Sequence, residues 1–293
     1  MLNLKPEVVA QLERVLGSVE ILLPRMVKPL DWSTCYAANW RRHSFSGYLE
    51  PVRVTDTTAL SELLGVEEQI EVMTKNTRQF LAGLPANNAL LWGSRGTGKS
   101  SLVRALLNEY APRGLRVIQI EKEDLVYLSE IFSAIEEQPY RFILLCDDLT
   151  FEPGELSYKM LKSALDGSVY SPPENVLIYV TSNRRHLLPQ YETDSRGGMF
   201  VNGEMQQSEV MEEKISLSDR FGLWVPFYAF SQDRYLDAVR LAVGREARER
   251  QVDIPHTPEL DREAIQWSHD KSKRCGRTAY QFSKNYVGRY LLT

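Results

Sequence analysis

Apolar positions along this chain keep two rhythms in turn. Leu60, Leu63, Leu64, Ile70, Met73 and Phe80, with Thr77 in step, repeat at the three- and four-residue spacing of one helix face. That stripe predicts a helical stretch over 56–81, which Gly83-Leu84-Pro85 ends. Short continuous apolar runs bounded by turn residues then mark strands at Leu90–Trp92, Leu115–Ile120, Arg141–Cys146 and Asn175–Val180. Between them the helical spacing returns at Leu102–Tyr110, at Leu125–Ile135 with Asp124 as a cap, and over 155–166, where Leu156, Met160, Leu161, Ala164 and Leu165 fall in step. A last strand, Trp224–Phe230, carries Pro226, which suits an edge where the lost donor faces solvent. Beyond Ser231 the spacing is helical only: Asp233 can cap a helix through Ala242, Thr257-Pro258-Glu259 starts a second, and Cys275-Gly276-Arg277-Thr278-Ala279 opens a third.

The alternation predicts an α/β unit over 55–230, a parallel sheet flanked by helices with its ligand at the carboxyl ends of the strands. A small helical unit over 231–293 follows it. Two stretches break the rhythm. Over 1–54, Val8, Val9, Leu12, Val15, Leu16 and Val19 keep helical spacing, Pro24 and Pro29 interrupt it, and Trp32, Tyr36, Trp40, Phe45 and Tyr48 follow around Arg41, Arg42 and His43. This reads as a mostly helical segment, its aromatics forming either a partner-binding surface or the packed face of a small domain. Over 190–214, Gly197-Gly198, Gly203 and several acids without periodicity read as a flexible surface loop with room for a hairpin.

Chemistry enters at the first strand. Gly93-Ser94-Arg95-Gly96-Thr97-Gly98-Lys99-Ser100, followed by Ser101, fits G-x-x-x-x-G-K-[ST] between a strand and a helix. Glycines let successive N–H groups turn toward one anion, and the helix adds the positive end of its dipole. Lys99 can reach the β- and γ-phosphates of a nucleotide, and the Ser100 hydroxyl can ligate Mg²⁺. The strand Arg141–Cys146 delivers Asp147 and Asp148 at its carboxyl end. Asp147 is assigned to the Mg²⁺ shell, directly or through water, and Asp148 to polarising an attacking water, a role filled more often by Glu. Thr181-Ser182-Asn183 ends the neighbouring strand, where Asn183 could hydrogen-bond the γ-phosphate or that water. Cys146 reads as a small buried apolar residue.

Composition narrows the class. The chain has 293 residues, 43% hydrophobic and 25% charged, ordinary for a soluble globular protein with a real core. A net charge of −4 argues against a generally nucleic-acid-coating surface and leaves room only for a local basic patch. Cys35, Cys146 and Cys275 form no metal spacing and fit a reducing cytosol. Charges among the first apolar residues do not fit a signal peptide, and no run approaches a membrane span. A cytoplasmic protein with no membrane partner is expected.

Taken in order, the glycine-rich loop, the Asp-Asp strand end, Thr-Ser-Asn, Ser218-Asp219-Arg220-Phe221 and Gly276-Arg277 resemble an AAA+ ATPase over roughly residues 60–293. Gln79-Phe80-Leu81-Ala82-Gly83-Leu84-Pro85-Ala86-Asn87-Asn88, the run Tyr179 to Leu187 and the run Ser216 to Trp224 are similar to one bacterial AAA+ family, domain of unknown function 815, described as ATP-binding with no assigned target. The resemblance implies ATP and Mg²⁺, Asn183 as the first sensor and Arg277 as the second sensor on a lid helix. It also implies Arg220 as an arginine finger supplied in trans within a homo-oligomer, and Leu64-Gly65-Val66 lining the adenine pocket. The Ser-Asp-Arg-Phe-Gly setting is similar to that of replication initiators and helicase loaders. Asp148 departs from the usual Glu, which bears on hydrolysis rate rather than on binding.

The function expected is therefore an Mg²⁺-dependent ATPase that couples nucleotide state to assembly or remodelling of a macromolecular partner. A nucleic-acid-associated, loader-like switch is the alternative. A small-molecule kinase fits less well, because a helical lid bearing a second-sensor Arg differs from a lid inserted within the sheet. Arg220 as a structural ion-pair partner, Arg277 as a helix-start cation, and Lys271, Lys273 and Arg274 as a solvated face are the simpler readings of those residues.

Overall fold

A computed structural model describes residues 11, 14, 29–43, 46–53, 57–152, 154–167, 171–185, 187, 199–201, 204–206 and 217–292. The helical spacing over Val8–Val19, the breaks near Pro24, Phe45, and most of the 190–214 loop lie outside the described residues.

Seven strands form one sheet in the order β2-β1-β4-β5-β6-β3-β9. They are β1 (Ala37–His43), β2 (Ser46–Val52), β3 (Ala89–Gly93), β4 (Leu115–Ile120), β5 (Arg141–Cys146), β6 (Val176–Ser182) and β9 (Leu223–Phe227). All neighbours are parallel except the β1–β2 hairpin. A separate two-stranded hairpin, β7 (Met199–Val201) with β8 (Glu204–Gln206), falls where one had room in the 190–214 loop.

Side chains on the central strands alternate between two cores, as the two-residue strand period requires. Phe142, Leu144 and Cys146 face one core with Ile178 and Val180, packed under α3 (Leu128–Ile135) and α4 (Leu156–Leu165). Ile143, Leu145, Leu177 and Tyr179 face the other, under α1 (Glu67–Leu81) and α2 (Lys99–Tyr110). Asn76 on α1 fixes the entry to β3: it accepts from the Asn87 N–H at 2.9 Å and donates to the Asn87 carbonyl at 2.9 Å and the Tyr179 hydroxyl at 3.0 Å. A third cluster holds α5 (Gln232–Glu249), α6 (Pro258–Asp270) and α7 (Gly276–Tyr290), the C-terminal helical unit.

Three expectations shift. The mostly helical reading of 1–54 gives way over 37–52 to a hairpin that extends the sheet through β1–β4 pairing. Trp32 and Trp40, each 3% exposed, are part of the core beneath it, whereas Tyr36 is 42% exposed. The helix expected over 56–81 is a short 3-10 turn, Leu60–Glu62, and then α1, because Gly65 at φ 74° cannot continue a right-handed helix. Ser231, not Asp233, caps α5, accepting from the Arg234 N–H, while Thr257 caps α6 as expected. Pro226 does lie on an edge strand, paired only on the β3 side.

Candidate functional site

The loop Ser94–Gly98 leaves β3 beside β9, and α2 begins at Lys99 immediately after it. Gly93 sits at φ 129° with the Phe227 carbonyl so close that a Cβ would stand 2.0 Å from its oxygen, so only glycine fits this exit. Gly98, at φ 106°, caps α2 and has open space around it. The amide end of α2 and the loop together form a concave cradle of the kind phosphate requires.

Lys99 is folded into that cradle. Its ammonium donates to the carbonyls of Gly93 and Ser94 at 2.9 Å each and to Asn183 Oδ1 at 3.2 Å, and the residue is 7% exposed. Burial lowers its pKa below the ordinary lysine value, opposed by Asp148 and Asp147 and reinforced by Arg277 and Arg95. The ammonium thus lies at the meeting point of the loop, β5 and β6.

The carboxylates arrive from β5. Asp147 accepts from the Ser100 hydroxyl at 2.5 Å and from the Thr181 hydroxyl at the end of β6. Asp148 stands at φ 53°, a left-handed conformation that Asp tolerates, and its N–H donates to Thr181 Oγ1 at 2.9 Å. Its carboxylate accepts from the Asn183 amide and pairs with Arg95 at 3.5 Å. Thr181 therefore aligns both acids, a role the sequence reading did not assign. The available signal was its position at the end of a strand beside β5. Cys146, beneath Asp147, is buried and its thiol is pushed well above its ordinary range, as an apolar packing residue would be.

The ligand set fits magnesium. Ser100 and Asp147 present two adjacent hard oxygens, the small protein contribution that Mg²⁺ takes beside phosphate and water. No group of three or more His, Cys, Asp or Glu side chains suited to a metal exists among the described residues.

A cleft of about 880 Å³ runs from this corner between the sheet domain and the helical unit. Ser100, Ser101, Asp147, Asp148, Asn183 and Arg277 line its polar end. Leu63, Leu64 and Val66 with Ala238 and Leu241 line an apolar end, and Gly65, at φ 74°, lies in the turn between Leu64 and Val66. Arg277 reaches the cleft because α7 starts against the loop: its N–H donates to the Gly96 carbonyl at 3.2 Å. Gly96, at φ 80°, lies so near Cys275 that a Cβ would meet its sulfur at 2.7 Å. Arg245, also on the cleft wall, donates to the Thr58 hydroxyl at 3.0 Å and pairs with Glu249 at 3.3 Å. No sequence motif marked Thr58, Arg245 or Phe230 for the cleft, since each is far in sequence from the glycine-rich loop.

Arg220 stands apart. It pairs with Asp166, beyond the end of α4, and does not line the cleft of its own chain. Among the described residues no helix is long and apolar enough to cross a membrane.

Solved structures share this fold. RuvB of Thermotoga maritima, in a point-mutant form, superposes with a TM-score of 0.52 at 15% identity, covering 77% of this chain and 64% of RuvB. The replication initiator DnaA, bound to AMPPCP and single-stranded DNA, gives 0.50 at 16% identity, covering 80% and 65%. The fold is that of the P-loop AAA+ ATPases, and the chain spans less than two thirds of the length of either protein. None of the curated proteins matches it. Residues 33–290, from the strand hairpin to the last helix, match the family described as "Protein of unknown function (DUF815)", and the chain belongs to that family.

Proposed function

We propose that this protein binds ATP with Mg²⁺ in the cleft, hydrolyses the β–γ anhydride, and uses nucleotide state to assemble or remodel a macromolecular partner. The observation that carries the reading is the convergence of Lys99, Ser100, Asp147, Asp148 and Asn183 from three strand ends, with Arg277 brought in from α7. AMPPCP is bound to the DnaA initiator of the same fold, which supports a nucleotide in this cleft.

Lys99 would exchange its loop carbonyls for the β- and γ-phosphate oxygens, a charge-assisted contact that strengthens as charge develops on the transferred group. Ser100 and Asp147 would hold Mg²⁺, which when bound neutralises phosphate charge. Asp148 and Asn183, already bonded to each other, would orient one water against the γ-phosphorus. Attack by that water breaks the bridging P–O bond and yields ADP, inorganic phosphate and a proton. Arg277 would stabilise the transferred phosphoryl group from the lid side, and Leu64, Gly65 and Val66 would hold the base.

Arg220 would complete a neighbouring copy's site, so the active species is an oligomer. In support, it precedes the edge strand β9 and lies outside its own cleft. Residues 1–54 are the proposed partner-binding part. Calorimetry with Mg²⁺ and ATP, beside a phosphate-release assay, tests the core of this reading: absence of binding to the full-length chain overturns it. Affinity capture with Asp148→Asn, which should hold ATP and partner together, addresses the partner. An ATPase rate that responds to single-stranded DNA or RNA would move the assignment to a loader-like switch.

A further inference from the structure

A second groove, of about 710 Å³, opens on the far side of the phosphate-binding loop. It shares Arg95, Asn183 and Phe230 with the main cleft, so the two spaces meet where the end of a triphosphate would lie. Its outer wall is the last turn of α6, which contributes His269, and the turn before α7, which contributes Lys273 and Arg274. The two spaces differ in their acids. Glu62, Asp147, Asp148 and Glu249 line the main cleft beside Lys99, Arg104, Arg245 and Arg277, whereas no carboxylate lines the second groove among the described residues. Arg95, Lys273 and Arg274 gathered with hydroxyls from Ser94 and Ser272 make a lining suited to an oxyanion.

The turn is held by its backbone. The Lys273 N–H donates to the Ser268 carbonyl at 3.0 Å, and the Phe230 N–H donates to the Arg274 carbonyl at 3.1 Å. The side chains of Lys273 and Arg274 are therefore replaceable without loosening it. Lys273 has no ion-pair partner among the described residues, and Arg274 reaches only as far as His269 Nε2, at 3.4 Å. Helix α7 begins just behind, with Cys275 in the groove wall, adding the positive end of its dipole. The partition between the spaces is easily parted: Arg95 has a side chain 62% exposed, and its pair with Asp148 at 3.5 Å is a solvent-screened one.

We propose that this groove is a phosphate site, which takes up the inorganic phosphate released from the main cleft and holds it on its way to solvent. The proposal rests on the nucleotide reading of the main cleft. In the main cleft product phosphate meets Asp147 and Asp148 as well as Lys99 and Arg277, whereas past Asn183 and Arg95 it meets Lys273 and Arg274 with no acid in the groove lining. Asn183 faces both spaces, so one amide can hand the anion across.

The test titrates inorganic phosphate into the full-length protein saturated with Mg·ADP, by calorimetry, for wild type and for Lys273→Ala/Arg274→Ala. ADP fills the β-phosphate part of the Lys99 cradle, and phosphate taken up at the open γ-position is common to both proteins, so the difference between them reports on the groove. The expected result is saturable binding by wild type and an affinity about tenfold or more weaker in the variant, the loss of two charge-assisted contacts. ADP affinity should stay within about twofold, since neither side chain touches the main cleft. In a single-turnover assay the variant should cleave ATP at the wild-type rate. No phosphate binding by wild type, or equal binding by both proteins, overturns the proposal. If ADP does not bind at all, the nucleotide reading has failed instead. The same two proteins titrated with phosphate alone, each also carrying Lys99→Ala, then decide the groove separately: a difference between them supports an anion site and equality removes it.

Discussion

Lys99 and Arg220 are cations at opposite ends of the sheet, Lys99 beyond the carboxyl end of β3 and Arg220 just before the amino end of β9, and the fold treats them in opposite ways. Lys99 is locked by three oxygen acceptors from two segments and is 7% exposed. Arg220 pairs with Asp166, with side chains 25% and 41% exposed. The first arrangement is over-determined, because losing one acceptor leaves two. The second includes an ion pair whose Asp166 side is open to water, where screening weakens the attraction. A group that acts within its own chain can be held in place from the start, whereas one that acts on a neighbour has to be releasable. The contrast is thus what the trans proposal for Arg220 requires.

The contrast can be broken most directly at Arg220. Arg220→Ala should bind ATP as wild type does yet lose about 10³-fold or more in turnover, the range of arginine fingers. Mixed with Lys99→Ala, it should regain hydrolysis at interfaces that pair an intact loop with an intact finger. If co-assembled mixtures stay inactive at every ratio, Arg220 is a structural ion-pair residue and the contrast has no functional meaning.

Asp148→Asn should lower turnover by roughly 10²- to 10⁴-fold while ATP and Mg²⁺ remain bound, as expected for removing a residue that positions or activates water. Asn tolerates the left-handed backbone at this position, so the change is one of charge. Loss of Mg²⁺-dependent binding instead would exchange the roles of Asp147 and Asp148. Lys99→Ala should weaken ATP binding about ten- to a hundredfold in calorimetry, and equal affinity would remove the loop from the binding site.

The lowered pKa of Lys99 sharpens the same corner. Its protonated form is the one that grips phosphate, so ATP affinity should fall as pH rises, beginning below the 10.5 of an ordinary lysine. Lys99→Arg, which stays charged, should flatten that profile. The smallest effect belongs to Asp166→Ala, expected to cost about 0.5 kcal/mol or less in urea denaturation. A loss of several kcal/mol would show that the Arg220–Asp166 pair is a structural lock.

Much of the site was legible because its chemistry is local. Gly93 through Ser100 encode a turn and a helix start within eight residues, and the strand ends bearing Asp147 and Asn183 follow from runs of apolar residues that stop at polar ones. The α/β alternation, the edge position of Pro226 and the cap at Thr257 rest on the same short-range rules. Gly65 illustrates the limit: the apolar spacing around it read as one continuous helix, and only its positive φ shows the break.

Determined by the sequence alone were the strand-turn-helix around Gly93–Ser100, the two acids at a strand end and the layered α/β class, because hydrogen bonding, side-chain period and turn chemistry act between near neighbours. Decided only by the tertiary structure was which of these groups meet. The 37–52 hairpin joins the sheet because β4 offers it a pairing edge, something no periodicity within 1–54 encodes. Thr181 serves Asp147 and Asp148 because β5 and β6 lie side by side. Arg277, Lys273 and Arg274 reach the loop because α7 packs its first turn on Gly96, nearly two hundred residues earlier in the chain. Contacts at that separation depend on how whole layers stack, and the free energy that fixes them lies in the burial of the cores rather than in any local pattern.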